Sequence, residues 1–417
     1  MILSYTKPDP TLPIYKILHQ NGAYLYAEGA LQKLQDGVYS KPDILLQQRA
    51  ENSSNLWKHI HTTYQRDYCL TVIPNYDCNL SCGYCFNKAH TSCKQLIDIE
   101  YVKTNARLVI SNCIADNKTF HLVVTGGGEP TFHWELLQQI VREVKIILAH
   151  NPVESFFYLS TNAILLNKAK TRWIASAFDL IGLSCDGPEL SNSQHLRNNL
   201  SRRNRKAFKK VCEVAGYLRL FAADYEVRIT VLPEDFAYIP EIVYSTQRFL
   251  ECDNIRIEPV YGIDYNENQY SEYASQFVLG YFGAKKALSA LKANLFYSGV
   301  RMGEVHSTYC DIYRNVRRIF PINQINYCFL GKDRTILCDV LTNVTPNGET
   351  PDINTNLEAI KTFEHCHNCI AEYHCSRACP DFCWKDNTAP QRFAFKCSLN
   401  RQLAESFIAD IIERNES

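Results

Sequence analysis

Asp77–Phe86 reads DCNLSCGYCF, and its cysteines, Cys78, Cys82 and Cys85, form C-x3-C-x2-C. The run follows a β-rich segment, Cys69–Ile73, so its thiols stand on a loop leaving the C-terminal end of a strand. Proteins built of βα units keep their functional groups there. Three thiolates are one short of closing an iron–sulfur cube. A tetrahedral zinc site would also need a fourth donor, which His90 or Cys93 could supply. The cysteine usage argues for metal or redox chemistry over disulfides. With 18 cysteines in 417 residues, the chain lies well below a disulfide scaffold and is too long to need staples.

Outward from this loop, strand-like and helix-like stretches alternate. His121–Val124, Phe156–Ser160, Leu180–Ser184, Glu226–Val231 and Asn254–Pro259 read as strands, with helices such as Trp134–Ala149 and Tyr238–Leu250 between them. With Cys69–Ile73 they make six βα units, which imply a parallel sheet. A closed eight-unit barrel usually takes about 250 residues. The stretch is shorter, so an open, partial (β/α)6 TIM-like barrel over residues 68–299 is expected, an α/β fold. Before it, residues 1–67 read as a small α+β module. IYKILHQ and AYLYAEG flank Asn21-Gly22, a type I′ hairpin signal, and a helical stretch follows over Pro42–Tyr64. After it, residues 300–417 are cysteine-dense and end in a helix at Ser398–Glu413.

Charge narrows the function classes. Lys+Arg and Asp+Glu both number 44, so no global field draws nucleic acid or an anionic membrane. No apolar run approaches a membrane span, and the N-terminus has no secretory pattern, so a cytoplasmic protein is expected. The basic run Arg197–Lys210 reads as a solvated helix face. Cys69, Cys113, Cys185, Cys212 and Cys252 read as small core residues, and Cys93 is ambiguous.

The second strand ends in Thr125-Gly126-Gly127-Gly128-Glu129-Pro130. Glycines let backbone approach a ligand, although a tight turn needs them equally. Placed one βα unit after C-x3-C-x2-C, this run makes the chain resemble the radical S-adenosylmethionine (SAM) enzymes. In that family three cysteines hold a [4Fe–4S] cluster whose free iron is chelated by SAM, and reductive cleavage yields a 5′-deoxyadenosyl radical that abstracts hydrogen. The resemblance implies that Cys78, Cys82 and Cys85 ligate this cluster and that Tyr84 meets the adenine. Gly127, Gly128 and Glu129 would bind the SAM amino group. Ser160 and Asn162 on the third strand end, with Ser184 and Asp186 on the fourth, would meet ribose and carboxylate, and Arg228 would face the carboxylate.

Cys366, Cys369, Cys375 and Cys379 form C-x2-C-x5-C-x3-C, with Cys397 beyond. This resembles the SPASM-type extension, which carries two auxiliary [4Fe–4S] clusters and makes three in all. The resemblance assigns Cys366, Cys369, Cys375 and Cys397 to the outer cluster, and Cys379 with Cys310 and Cys328 to the inner one. Cys338 is the further inner ligand, with Cys383 its rival. Asn323 stands where the family has Gly, a mild departure because Asn tolerates a left-handed turn. Asp311 and Asp339, beside two of these cysteines, are candidate general bases. Most SPASM-bearing relatives modify peptides. The resemblance therefore implies a maturase of a ribosomally synthesised precursor peptide, installing a C–C or thioether crosslink or another oxidative change, fed by an electron donor such as flavodoxin or ferredoxin. The alternatives are an anaerobic sulfatase-maturing enzyme that generates formylglycine and, remotely, a zinc-binding scaffold. The N-terminal hairpin offers a strand edge for a leader peptide. It is incomplete against a winged-helix leader-binding domain, and a packing extension is the competing reading.

Overall fold

The computed structural model describes residues 4–8, 14–27, 30–34, 67–85, 94–188, 207–260, 267–302, 316–321, 368–372, 374–375 and 390–415. The helix expected over Pro42–Tyr64, His90 and Cys93 lie outside the described residues, as does most of the run Arg197–Lys210.

At the N-terminus, β1 (Ser4–Thr6), β2 (Ile14–His19), β3 (Gly22–Ala27) and β4 (Ala30–Lys33) form one antiparallel sheet in sequential order. The expected hairpin is present, but its turn is one residue earlier than Asn21-Gly22. His19 pairs with Gly22, so Gln20 and Asn21 make the turn. Of these residues only Gly22 has positive φ, at 130°. The glycine opens the returning strand and does not occupy the turn.

The main sheet has eight parallel strands. Its first six are β5 (Asp67–Val72), β6 (Thr119–Val124), β7 (Ser155–Thr161), β8 (Leu180–Ser184), β9 (Tyr225–Val231) and β10 (Asn254–Pro259). β11 (Asn294–Phe296) joins β10 at one edge and β12 (Val316–Ile319) joins β5 at the other, giving the order 11-10-9-8-7-6-5-12. The six expected strands are therefore consecutive, and two short strands that the sequence did not announce extend the sheet. Among the described residues β11 and β12 do not pair with each other, so the sheet they bound is open. Residues 316–319, within the cysteine-dense final third of the chain, thus belong to the core sheet.

Helices α1 (Ile99–Asp116), α2 (Trp134–His150), α3 (Lys168–Ala177), α4 (Ala207–Leu220), α5 (Ile239–Leu250), α6 (Tyr270–Ser289) and α7 (Pro390–Asn415) accompany the sheet. Asp98 caps α1, accepting from the Tyr101 N–H at 2.8 Å, and Asn167 caps α3, accepting from the Lys170 N–H at 2.9 Å. In β6, β9 and β10 burial alternates along the strand. Leu122, Val227 and Ile257 are buried with the helices. The opposite face carries polar side chains, including Glu226, Arg228, Arg256 and Glu258. A sheet buried by apolar contacts on both faces would read as continuous hydrophobic runs. The alternation therefore marks a polar inner face. Cys113, Cys185 and Cys252 are core residues as expected, whereas Cys69 and Cys212 are half-buried. Among the described residues, no helix is long and apolar enough to cross a membrane.

α7 packs along α6. Phe236, in a 3-10 turn before α5, stacks on Phe395 of α7 with the ring centres 6.4 Å apart and the planes nearly parallel, and meets Phe277 of α6 edge-on. Gly280 of α6 is required here: a Cβ would come within 2.5 Å of the Phe236 carbonyl.

The N-terminal sheet packs against the cysteine-rich segment 368–375. The Tyr15 hydroxyl donates to the Cys369 carbonyl at 2.9 Å, and the Tyr26 hydroxyl lies 2.5 Å from His374 Nε2. Lys7 pairs with Glu372 at 3.6 Å. His374 is fully buried, so removing the Tyr26 hydroxyl takes away a buried hydrogen bond. Tyr26→Phe is expected to destabilise the full chain by about 1–3 kcal/mol, read as a lower denaturation midpoint with an unchanged slope.

Candidate functional site

Beyond β5 the chain runs through Ile73–Asp77 into the cysteine loop, and the glycine loop after β6 is bonded along it. The Gly128 N–H donates to the Asn75 carbonyl at 2.9 Å and the Glu129 N–H to the Asp77 carbonyl at 2.8 Å. The Asn75 side chain donates back to the Glu129 carbonyl at 3.3 Å. Two glycines make this approach possible. Gly127 has φ +48°, and a Cβ there would sit 2.7 Å from Ile73 Cγ2. A Cβ on Gly128 would overlap the Asp77 backbone carbonyl. Asp77 is anchored further by Lys94 at 2.8 Å and His133 Nε2 at 2.9 Å, which together hold its carboxyl below the usual carboxylate range.

Within the loop, the Cys85 N–H donates to the Cys82 carbonyl at 3.1 Å, closing the C-x2-C turn. The Leu80 N–H points at Cys78 Sγ at 3.4 Å, and Asn162 Nδ2 lies 3.8 Å from the same sulfur. Cys78 is exposed as a residue, but the protein packed around its sulfur pushes the thiol up to about 12, and the nearby charges of Glu129, Cys82 and Cys85 add to this. Cys82 and Cys85 thus both bear on Cys78, which is also faced by N–H donors.

Glu129 is buried and joins three strand ends. Its Oε1 accepts from the Thr131 N–H at 3.1 Å and from the Thr131 and Thr161 hydroxyls at 2.6 Å each. Its Oε2 accepts from the Asn162 N–H at 2.7 Å. Burial pushes its pKa up, while the Asn162, Thr131 and Thr161 bonds pull it down. Asn162 in turn donates to Asn79 Oδ1 at 3.0 Å and accepts from the Ile164 N–H at 3.0 Å. Tyr84 and Asp186, both expected as separate cofactor contacts, are hydrogen-bonded to each other. The other oxygen of Asp186 accepts from the Thr230 N–H at 2.9 Å. Ser160 and Ser184 lie half-buried at the ends of β7 and β8.

Arg228 does not stand alone. Its Nε donates to Glu226 Oε1 at 2.9 Å, its guanidinium lies 5.1 Å from the Tyr158 ring centre, and the Tyr158 hydroxyl donates to the same Glu226 oxygen at 3.1 Å. Burial opposes the Glu226 charge, but Arg228 and Arg256 outweigh it and hold the carboxyl below its usual range.

Of the C-terminal cysteines, Cys369, Cys375 and Cys397 are described, half-buried and not in disulfides. The Glu372 N–H donates to the Cys369 carbonyl and the Cys375 N–H to the Ala371 carbonyl, both at 2.9 Å. Val300 and Cys375 form an antiparallel bridge. Cys310, Cys328, Cys338, Cys366, Cys379, Cys383, Asp311 and Asp339 lie outside the described residues.

Residues 72–243 match the family model of the radical SAM superfamily. The chain carries a radical SAM domain. It is accordingly an enzyme, of the oxidoreductase type. Solved structures similar to this radical SAM chain include native anSMEcpe with bound AdoMet, at TM-score 0.63 and 15% identity over 83% of this chain and 99% of that one. The same protein with AdoMet and the Kp18Cys peptide gives TM-score 0.62 at 15% identity, over 84% and 99%. Streptococcus suis SuiB bound to its precursor peptide SuiA gives TM-score 0.51 at 14% identity, over 94% and 99%. These likenesses establish a shared fold. No curated protein sequence matches the chain.

A radical SAM domain works with a [4Fe–4S] cluster and SAM, and the cysteine loop fits the cluster. It presents three thiols on one short loop, with N–H groups facing Cys78. Among the described residues no three His, Cys, Asp or Glu side chains gather closely enough to hold a single metal ion. Sequence reasoning missed Asn75, Asp77, His133, Tyr158, Thr161 and Glu226. Asp77 and Thr161 were legible only as neighbours of residues already chosen, and Glu226 as the same-face neighbour of Arg228 on β9. Gly128→Ala is expected to displace the Asp77 backbone and with it Cys78. After anaerobic reconstitution this variant should carry fewer irons per chain than the parent, whereas Gly126→Ala, whose Cβ meets only the Gly128 carbonyl at 3.4 Å, should retain them.

Proposed function

We propose that this radical SAM enzyme matures a ribosomally synthesised precursor peptide, forming a C–C or thioether crosslink or another oxidative modification on it. The observation that carries the reading is the assembly at the strand ends: a three-thiol loop hydrogen-bonded to the Gly127–Glu129 turn, beside Asn162 and the Tyr84–Asp186 pair. Supporting the substrate class, anSMEcpe was solved with AdoMet and the Kp18Cys peptide, and SuiB with the precursor peptide SuiA. The reading extends these peptide partners to this chain.

When bound, the cluster and SAM supply a 5′-deoxyadenosyl radical for hydrogen abstraction. In this proposal Cys78, Cys82 and Cys85 hold the cluster. Gly127 and Gly128 offer backbone to the SAM amino group, beside Glu129, whose carboxylate fixes the turn. Ser160, Asn162 and Ser184 border the ribose and carboxylate. Asp186 orients Tyr84 toward the adenine through their hydrogen bond. Arg228 faces the carboxylate, its guanidinium steered by Glu226 and the Tyr158 ring. Cys366, Cys369, Cys375 and Cys397 hold an outer auxiliary cluster. Cys310, Cys328 and Cys379, with Cys338 or Cys383, hold an inner one, and Asp311 or Asp339 takes the substrate proton. An external donor such as flavodoxin or ferredoxin supplies the electron.

Anaerobic protein is expected to be brown and to hold about twelve irons per chain, four for each of three cubes. A count near four removes the auxiliary clusters. Cys82→Ala should abolish reductive SAM cleavage, measured as 5′-deoxyadenosine, and retained cleavage would overturn the ligand assignment. Product mass spectrometry separates the substrate readings. A peptide lighter by two hydrogens with a new crosslink supports maturation, whereas formylglycine at a Cys or Ser supports the sulfatase-maturing alternative.

A further inference from the structure

We propose that Asn400 is a positioning residue of the outer auxiliary centre: its side-chain N–H, donated to Cys375 Sγ, raises that centre's reduction potential. The inference rests on the reading that Cys366, Cys369, Cys375 and Cys397 hold a cluster. The three of these that are described fit one, being half-buried and not in disulfides, with an amide donor at one sulfur.

Asn400 Nδ2 lies 3.0 Å from Cys375 Sγ. That is closer than either donor at Cys78, which stand at 3.4 and 3.8 Å. Asn400 is 2% exposed, so water does not compete for the bond. Its orientation is fixed from the other end, where Oδ1 accepts from the Tyr297 hydroxyl at 2.9 Å. A thiolate accepts hydrogen bonds and cannot donate them, so the amide must present nitrogen to sulfur and oxygen to Tyr297. Gly299 leaves the room, since a Cβ there would come within 2.5 Å of Asn400 Oδ1. Asn400 also stands three residues after Cys397 on α7, so donor and ligand share a helix face.

The partner sulfur is held as firmly. Cys375 bridges Val300, and the Arg301 N–H donates to the His374 carbonyl at 3.1 Å. His374 is in turn bonded to Tyr26 of the N-terminal sheet. A donor aimed at a ligand sulfur stabilises the reduced cluster, which carries one more negative charge concentrated on sulfur. Such bonds are among the factors that set iron–sulfur potentials.

The test uses the full chain with Cys78, Cys82 and Cys85 replaced by Ala, reconstituted anaerobically, so that only C-terminal centres contribute to the electron paramagnetic resonance (EPR) signal. The component that disappears in Cys369→Ala is the outer one. In a potentiometric titration followed by EPR, Asn400→Leu should move the midpoint of that component to a more negative value, and Asn400→Asp further. The other component and the iron count, about eight per chain, should stay in place. Tyr297→Phe, which frees the amide to turn, should shift the same midpoint the same way by less. An unmoved midpoint in both Asn400 variants with iron retained overturns the proposal. If the Asn400 variants lose iron, Tyr297→Phe decides: a shifted outer midpoint supports the proposal and an unmoved one overturns it. A parent protein that binds no iron in this background sinks the cluster reading itself, a failure distinct from an unmoved midpoint.

Discussion

One buried carboxylate organises the active end of the sheet. Glu129 receives four hydrogen bonds from Thr131, Thr161 and Asn162. Its own backbone receives the Asn75 side chain and donates to Asp77. A buried carboxyl group without partners is costly, so the position depends on these donors converging. That requirement ties the ends of β5, β6 and β7 into one unit. The cysteine loop inherits its position from that unit, because Asp77 precedes Cys78 and Asn162 faces the same sulfur.

The two cysteine-bearing regions are supported in different ways. At the first, backbone packs on backbone, and glycine is what allows it. At the second, side chains from distant parts of the chain converge: Tyr15 and Tyr26 from the N-terminal sheet, Asn400 from α7, and the 300–301 backbone. The N-terminal sheet therefore spends part of one face on the cysteine-rich segment. β1 and β4 are the terminal strands of that sheet.

Much of this architecture could be read from residue order. The six core strands fall within two residues of their expected bounds because each is a short β-rich run followed by a long helical stretch, and local pattern suffices for that. β11 and β12 could not be found this way. Each is only three or four residues long, and its strand character comes from pairing with an edge already built. Gly22 misled the turn assignment because a glycine beside Asn fits either a turn position or the first residue of the return strand. At the site, Cys78, Gly128 and Glu129 were legible from spacing, but what Glu129 bonds to was not. Thr161 lies 32 residues away and Asp77 52, and neither distance leaves a trace in a local pattern. Tyr84 and Asp186 were chosen separately, and only the fold shows them as a pair.

The pairing of β12 with β5 has a consequence for biogenesis. β5 is the first strand of the main sheet to leave the ribosome, and β12 is the last to be made. Until then the nascent sheet carries a bare edge of unsatisfied N–H and C=O groups just before the cysteine loop, open to pairing with another chain. Vectorial synthesis thus leaves that edge of β5 unpaired until about three quarters of the chain has been made, and the chain's last third supplies the strand that covers it.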